Sequence, residues 1–329
     1  MNRVVLLLLC CTAPAAFAQS YSSSGESKTV TGTSAESRIS DWRRQGWRLA
    51  FIVDNDHDKD GRVSHAEFEQ SRRSRFDITD TDGNSIVDEE EYMYEWEDRM
   101  DAQLEKDREG RVRQTYVRFD AMDRDDDAWM SWEEYAASGD RIFTGWDTND
   151  DLVIDANDPP RNMNWERTPD SELTAEERQQ RRERLIAYSR SMLEMPTTHN
   201  REGVLYRYDR NNDGRVERAE FDAGRRADYN GTDFDGNGKL DADEYSSEFE
   251  DRMDAVIEDF RVGSIKQSQR RFQALDDNGD GEMTFAEYQD SGNQRFARYD
   301  ISGDGFVDED DPMPPPFRET VEQQVTSTN

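Results

Sequence analysis

Cysteine is nearly absent from this chain of 329 residues: only Cys10 and Cys11 occur, both among the first eleven positions. Beyond them no disulfide framework, thiol nucleophile or cysteine-based zinc site can be built. Histidine is almost as scarce, limited to His57, His65 and His199, and no phosphate-cradling glycine loop is present. With so few candidate general bases and nucleophiles, an enzyme is not expected. Hydrophobic residues make up 33% of the chain, and no stretch approaches the roughly 20 apolar residues of a membrane helix, so membrane insertion is not expected. Bases are outnumbered, 42 against 75 acids, for a net charge of −33. That balance argues against a nucleic-acid or anionic-lipid surface.

The first residues read as a targeting segment. Arg3 precedes an apolar run over 4–11, and Ala16, Phe17 and Ala18 form a small-x-small cleavage pattern. A secretory signal over 1–18, cut before Gln19, implies a secreted or periplasmic location. The leucines ahead of Cys10 and Cys11 argue against a lipid-modified cysteine. Residues 19–37, rich in Ser, Thr and Gly, are expected to be a flexible leader.

What the chain has in excess is acid, and the acids recur in short clusters. In residues 56–67, Asp56, Asp58 and Asp60 alternate, Gly61 follows, then Ser64 and Glu67. Oxygen side chains at positions 1, 3, 5, 9 and 12, with a conformationally free residue at 6, resemble the EF-hand family. The resemblance implies Ca2+ held by those side chains and by the backbone carbonyl of position 7, here Arg62.

The template fits seven more times. Loop 2 (80–91) offers Asp80, Asp82, Asn84, Ile86, Asp88 and Glu91, and loop 3 (123–134) offers Asp123, Asp125, Asp127, Trp129, Ser131 and Glu134. Loop 4 (147–158) runs Asp147, Asn149, Asp151, Val153, Asp155 and Asp158, closing with aspartate instead of glutamate. Loop 5 (209–220) has Asp209, Asn211, Asp213, Arg215, Glu217 and Glu220, and loop 6 (233–244) has Asp233, Asp235, Asn237, Lys239, Asp241 and Glu244. Loop 7 (276–287) has Asp276, Asn278, Asp280, Glu282, Thr284 and Glu287. Loop 8 (300–311) runs Asp300, Ser302, Asp304, Phe306, Asp308 and Asp311, again closed by aspartate.

Two registers outside the ligand positions agree. Position 8 is apolar in every loop: Val63, Val87, Met130, Ile154, Val216, Leu240, Met283 and Val307. Four residues before each loop stands Ile52, Phe76, Phe119, Phe143, Leu205, Tyr229, Phe272 or Phe296, expected to face a core from an incoming helix. Ligand positions hold 31 of the acids, leaving 44 against 42 bases, so nearly all the excess charge is ligand charge. Eight Ca2+ ions would bring −33 to −17.

Each of loops 5–8 begins 153 residues after its counterpart among loops 1–4, and EDRMDA occurs at both 97–102 and 250–255. The expected fold is all-α: two tandem four-loop EF-hand modules, an internal duplication, with short β contacts between paired loops. The modules span 38–160 and 174–316, with a linker at 161–173 and a tail at 317–329. A capping box at Thr174 and Glu177 predicts a helix over 175–194. Loops within a pair start only 24 residues apart. Gly139, Gly224 and Gly292 lie mid-connector, which predicts two short helices with a break, letting neighbouring loops meet back to back. Gly110 and Gly263 are candidate breaks in the longer helices joining loops 2 to 3 and 6 to 7. The stripes Met93, Trp96, Met100, Leu104 and Phe249, Met253, Val256, Ile257, Phe260 are expected to be core.

Glycine occupies position 6 in loops 1, 5, 6, 7 and 8, whereas Ser85, Ala128 and Leu152 stand there in loops 2–4. The second half should therefore bind more tightly, and the aspartate-closed loops 147–158 and 300–311 are candidates for Mg2+. The functional expectation is a secreted calcium-binding protein acting as buffer, calcium-stabilised structure or sensor. The alternative is a dockerin-like adhesion or scaffold module, with a calcium-dependent protein partner.

Overall fold

The computed structural model describes residues 35–159 and 168–313. The targeting segment and most of the leader lie outside the described residues, as do Pro160, residues 161–167 of the expected linker, residues 314–316 and the whole expected tail.

The chain is mostly helical, and each loop caps the helix that enters it while five of the eight also cap the helix that leaves. Position 1 is the C-cap of the incoming helix: the amide of Asp56 bonds Ile52 O, and those of Asp80, Asp123 and Asp147 bond Phe76, Phe119 and Phe143 O, all at 2.9 Å. Positions 9 and 12 form the capping box of the outgoing helix, as Ser64 with Glu67, Asp88 with Glu91, Ser131 with Glu134, Asp241 with Glu244 and Thr284 with Glu287. Candidate ligands and helix caps are thus the same side chains.

The first half holds α1 (Ala35–Asn55), α2 (His65–Thr79), α3 (Glu89–Met122) and α4 (Trp132–Trp146), with β1 (Val63–Ser64), β2 (Ile86–Asp88) and β3 (Val153–Ile154) in its loops. The second holds α5 (Ala175–Arg190), α6 (Arg201–Tyr208), α7 (Arg218–Thr232), α8 (Ala242–Leu275) and α9 (Phe285–Tyr299), with β4 (Val216–Glu217), β5 (Glu282–Thr284) and β6 (Phe306–Val307). The helix predicted over 175–194 begins at its capping box and stops at Arg190.

The all-α fold with short β contacts is as expected; the partners in those contacts are not. No neighbouring loops pair among the described residues. Loop 1 pairs with loop 8 (Val63 with Val307), loop 2 with loop 7 (Val87 with Met283), and loop 4 with loop 5 (Ile154 with Val216). Loop 3 meets loop 6 through a bridge between Met130 and Leu240. Every β contact therefore joins the two halves, first loop to last and inward.

The connectors explain this. The predicted break is absent: α2, α4, α7 and α9 are single helices of 15 residues, about 22 Å long. A straight rod of that length holds the loops at its ends apart, so each loop pairs elsewhere. The mid-connector glycines serve close packing instead. A Cβ on Gly292 of α9 would lie 2.4 Å from Arg72 Nε of α2, and one on Gly139 of α4 would lie 2.9 Å from Arg225 Nε of α7. Likewise α3 and α8 run unbroken through Gly110 and Gly263.

Burial follows the pairing. Each pair of loops closes over one apolar cluster, such as Phe51, Ile52, Val63, Phe68, Phe296, Tyr299 and Val307 at loops 1 and 8. All eight position-8 residues are buried, as are the residues four before the loops except the half-buried Leu205. A central cluster joins Met100 and Leu104 of α3 to Phe249 and Met253 of α8, with Val256, Ile257 and Phe260 half-buried against it, whereas Met93 and Trp96 are half-buried outside it. Leu193 and Met195, just beyond α5, complete it, tied down by Asp107, whose Oδ2 accepts the amides of Met192 (2.7 Å) and Leu193 (3.1 Å).

Candidate metal centres

The eight loops share one internal scaffold. Oδ2 of position 1 accepts the amide of position 6 in each, from Gly281 to Asp276 at 2.8 Å to Leu152 to Asp147 and Gly305 to Asp300 at 3.1 Å. The same bond links Gly61 to Asp56, Ser85 to Asp80, Ala128 to Asp123, Gly214 to Asp209 and Gly238 to Asp233. Oδ1 of position 5 accepts the amide of position 7, for instance Ile86 to Asn84 at 2.7 Å and Arg215 to Asp213 at 3.0 Å. These bonds curl the backbone around one point and use only one carboxylate oxygen of residues such as Asp60 and Asp304.

The curl needs left-handed backbone at position 6, where φ runs from 65° at Ala128 to 89° at Gly61. Ser85, Ala128 and Leu152 adopt it with a side chain, at a cost of about 1 kcal/mol each. Position 4 is left-handed in all eight loops too, at Lys59, Gly83, Asp126, Asp150, Asn212, Gly236, Gly279 and Gly303. Sequence reasoning passed over that position, although four of its occupants are glycine and three are Asn or Asp, the residues that tolerate this region best.

The closing carboxylate folds back over the loop. Glu67 Oε1 accepts the amide of His57 (3.1 Å), and its Oε2 accepts the amide and hydroxyl of Ser64 (both 2.8 Å). Those donors, the Ser64 amide foremost, hold the Glu67 carboxyl below its ordinary range, and the Thr284 amide does the same for Glu287. Burial works to raise Glu91 and Glu134, yet both are lowered, Glu91 chiefly by the Thr81 hydroxyl and Glu134 by the Arg124 amide. In loops 1, 2, 3 and 6, carboxylate oxygens of positions 1, 3 and 12 converge within 4.8 Å: Asp56, Asp58, Glu67; Asp80, Asp82, Glu91; Asp123, Asp125, Glu134; Asp233, Asp235, Glu244. In the others position 3 is Asn149, Asn211, Asn278 or Ser302, a neutral oxygen. Glu220 reaches back to the amide of Arg210 at 2.9 Å, but Glu217 makes no capping bond.

The aspartate-closed loops are built differently. Among the described residues no helix leaves loop 4 or loop 8; Pro159 and Pro312 follow. Asp158 and Asp311 are buried, and they still span the loop: Asp158 accepts the amides of Thr148 (2.7 Å) and Asp155 (2.8 Å), and Asp311 those of Ser302 and Asp308 (both 3.0 Å). An arginine from the partner loop's incoming helix holds each terminus. Arg201 donates to Asp155 O (2.8 Å) and Asp158 O (3.3 Å), and Arg48 donates to Asp311 O.

Of the histidines, His57 bonds Ser71 Oγ (2.9 Å) and His65 bonds Asn293 Oδ1 (3.0 Å), outside the ligand sets.

Helix, oxygen-lined twelve-residue loop and helix, joined in pairs by a short antiparallel contact, define a protein of hard-cation centres: hard oxygens in this number and spacing fit Ca2+. A family model described as EF hand matches residues 269–290, which enclose loop 7. No curated protein and no solved structure matches the chain. The match and the convergent carboxylates together support calcium binding. Among the described residues no helix is long and apolar enough to cross a membrane.

Proposed function

We propose that this is a secreted or periplasmic, noncatalytic protein that binds up to eight Ca2+ ions and uses them to hold its two halves together, as calcium-stabilised structure or buffer. The observation that carries this reading is the pairing: the loops lie where the halves join, and the strands there are only two or three residues long. Such contacts are weak alone, and the 31 loop acids repel one another without cations. Metal bound to the folded form only would therefore supply folding free energy. A sensor would present a methionine-lined groove. Here Met100, Met122, Met130, Met253 and Met283 are buried inside the clusters, which favours structure over sensing. Closing aspartates favour a dockerin-like scaffold as second reading and Mg2+ as alternative ion, both at loops 4 and 8 only.

Calorimetric titration with Ca2+ and with Mg2+, combined with melts in chelator, tests the proposal. Several Ca2+ equivalents and a strongly lowered Tm in chelator are expected. Each independent site at 100 times its Kd contributes about 2.7 kcal/mol. An unchanged melt would overturn it, and capture of one specific protein only with Ca2+ would favour the scaffold.

A further inference from the structure

We propose that Arg62 is a built-in competitor for the cation of loop 8, that Lys239 plays the same part toward loop 3, and that each thereby sets which loop of its pair fills first. The inference rests on the calcium reading above.

In loop 8, Asp304 Oδ1 accepts the amide of Phe306 (3.0 Å) and Asp308 Oδ1 that of Asp310 (2.9 Å). The remaining oxygen of each is the one left for an ion, and Arg62 holds both: Nη2 donates to Asp304 Oδ2 (3.1 Å) and Nε to Asp308 Oδ2 (3.2 Å). The guanidinium is anchored over the Phe306 ring, 4.0 Å from its centroid. Lys239 repeats the device with a point charge. Asp127 Oδ1 takes the amide of Trp129 (2.8 Å), and Lys239 Nζ donates to the other oxygen (3.1 Å).

Both cations stand at position 7 of one loop and reach across the β contact into its partner. Neither contact is returned, because position 7 is Phe306 in loop 8 and Trp129 in loop 3. Loops 2 and 7 carry Ile86 and Glu282 there and have no such base. In the remaining pair Arg215 turns to Glu217 of its own loop (3.2 Å). An ion entering loop 8 must displace a stacked, two-point guanidinium; one entering loop 1 meets none from its partner's position 7. Loop 1 fills before loop 8, and loop 6 before loop 3. Two partly exposed charge pairs with stacking amount to about a three- to tenfold weakening of loop 8.

The test is a Ca2+ titration of the full chain followed by NMR of the amides of Gly61, Gly305 and Ala128 and of the Arg62 Nε–H. Gly61 is expected to respond before Gly305, with the Arg62 Nε–H moving in step with Gly305. Arg62→Gln should shift the Gly305 midpoint to about three- to tenfold lower Ca2+ and leave Ala128 in place. Lys239→Gln should do the reverse. A Gly305 midpoint unchanged or raised in Arg62→Gln while Gly61 still responds overturns the inference alone, as does an equal shift of all loops in both variants. No response of Gly61 in the unaltered chain overturns the calcium reading and this inference together.

Discussion

The guanidinium of Arg72 on α2 lies 3.5 Å from the centroid of the Tyr288 ring on α9. It also donates to Tyr288 O and to Ser291 Oγ (3.0 Å). Arg225 on α7 does the same to α4, 3.6 Å from the Tyr135 centroid and bonded to Tyr135 O (2.6 Å) and Ser138 Oγ (2.7 Å). Each arginine crosses from one half to the other through the gap left by a glycine, Gly292 or Gly139.

Arg72→Ala or Arg225→Ala removes a buried stacking partner and strands two acceptors. Either is expected to destabilise the Ca2+-loaded protein by about 2–4 kcal/mol, read by denaturant unfolding at saturating Ca2+. A loss within the range of an ordinary surface substitution would show that the clamp adds little.

Glycines in the helices should divide by what surrounds them. A Cβ on Gly46 of α1 would lie 2.3 Å from Leu185 O of α5, whereas one on Gly263 meets nothing within 4 Å. Gly46→Ala is expected to cost about 1–3 kcal/mol by forcing α1 from α5. Gly263→Ala should gain about 0.5–1 kcal/mol of helix propensity. Thermal melts of the two variants should move in opposite directions.

Because loop 1 touches loop 8 through Val63 and Val307, Glu67→Gln should impair Ca2+ uptake at loop 8 more than at loop 2, its neighbour in sequence. Amide shifts of Gly305 and Ser85 during titration distinguish the two. A larger effect at Ser85 would mean that coupling runs along α2 instead of across the strand pair.

Leu152 holds a φ of 66° and its side chain is exposed, so glycine there relieves strain without loss of packing. Leu152→Gly is expected to stabilise the bound form of loop 4 by about 1 kcal/mol, close to fivefold in affinity. Calorimetry of the variant at low Ca2+ reads this directly.

Much of each centre was legible in the sequence because its constraints are local. Alternating oxygens, the turn residue and the apolar position 8 act within twelve residues, and the caps at Ser64 and Glu67 follow from the same letters. The choice of partner was not legible: Val63, Val87, Ile154 and Val216 are interchangeable as short β contacts, and nothing in them names a mate. Helix propensity alone marks Gly139 and Gly292 as breaks, whereas contact with Arg225 and Arg72, which lie far off in sequence, decides their use. Position 4 was readable, in Gly83, Gly236, Gly279 and Gly303, once the left-handed turn is counted twice per loop.

The nested pairing also orders events in time. Ile154 and Val216 are 62 residues apart, Met130 and Leu240 110, Val87 and Met283 196, and Val63 and Val307 244. Closing the innermost pair costs least chain entropy, and each pair formed shortens the loop that the next must close. Assembly should therefore zip outward from the middle. The first half emerges from synthesis with its β contacts unmade, and loop 1 waits for a further 244 residues before its partner exists.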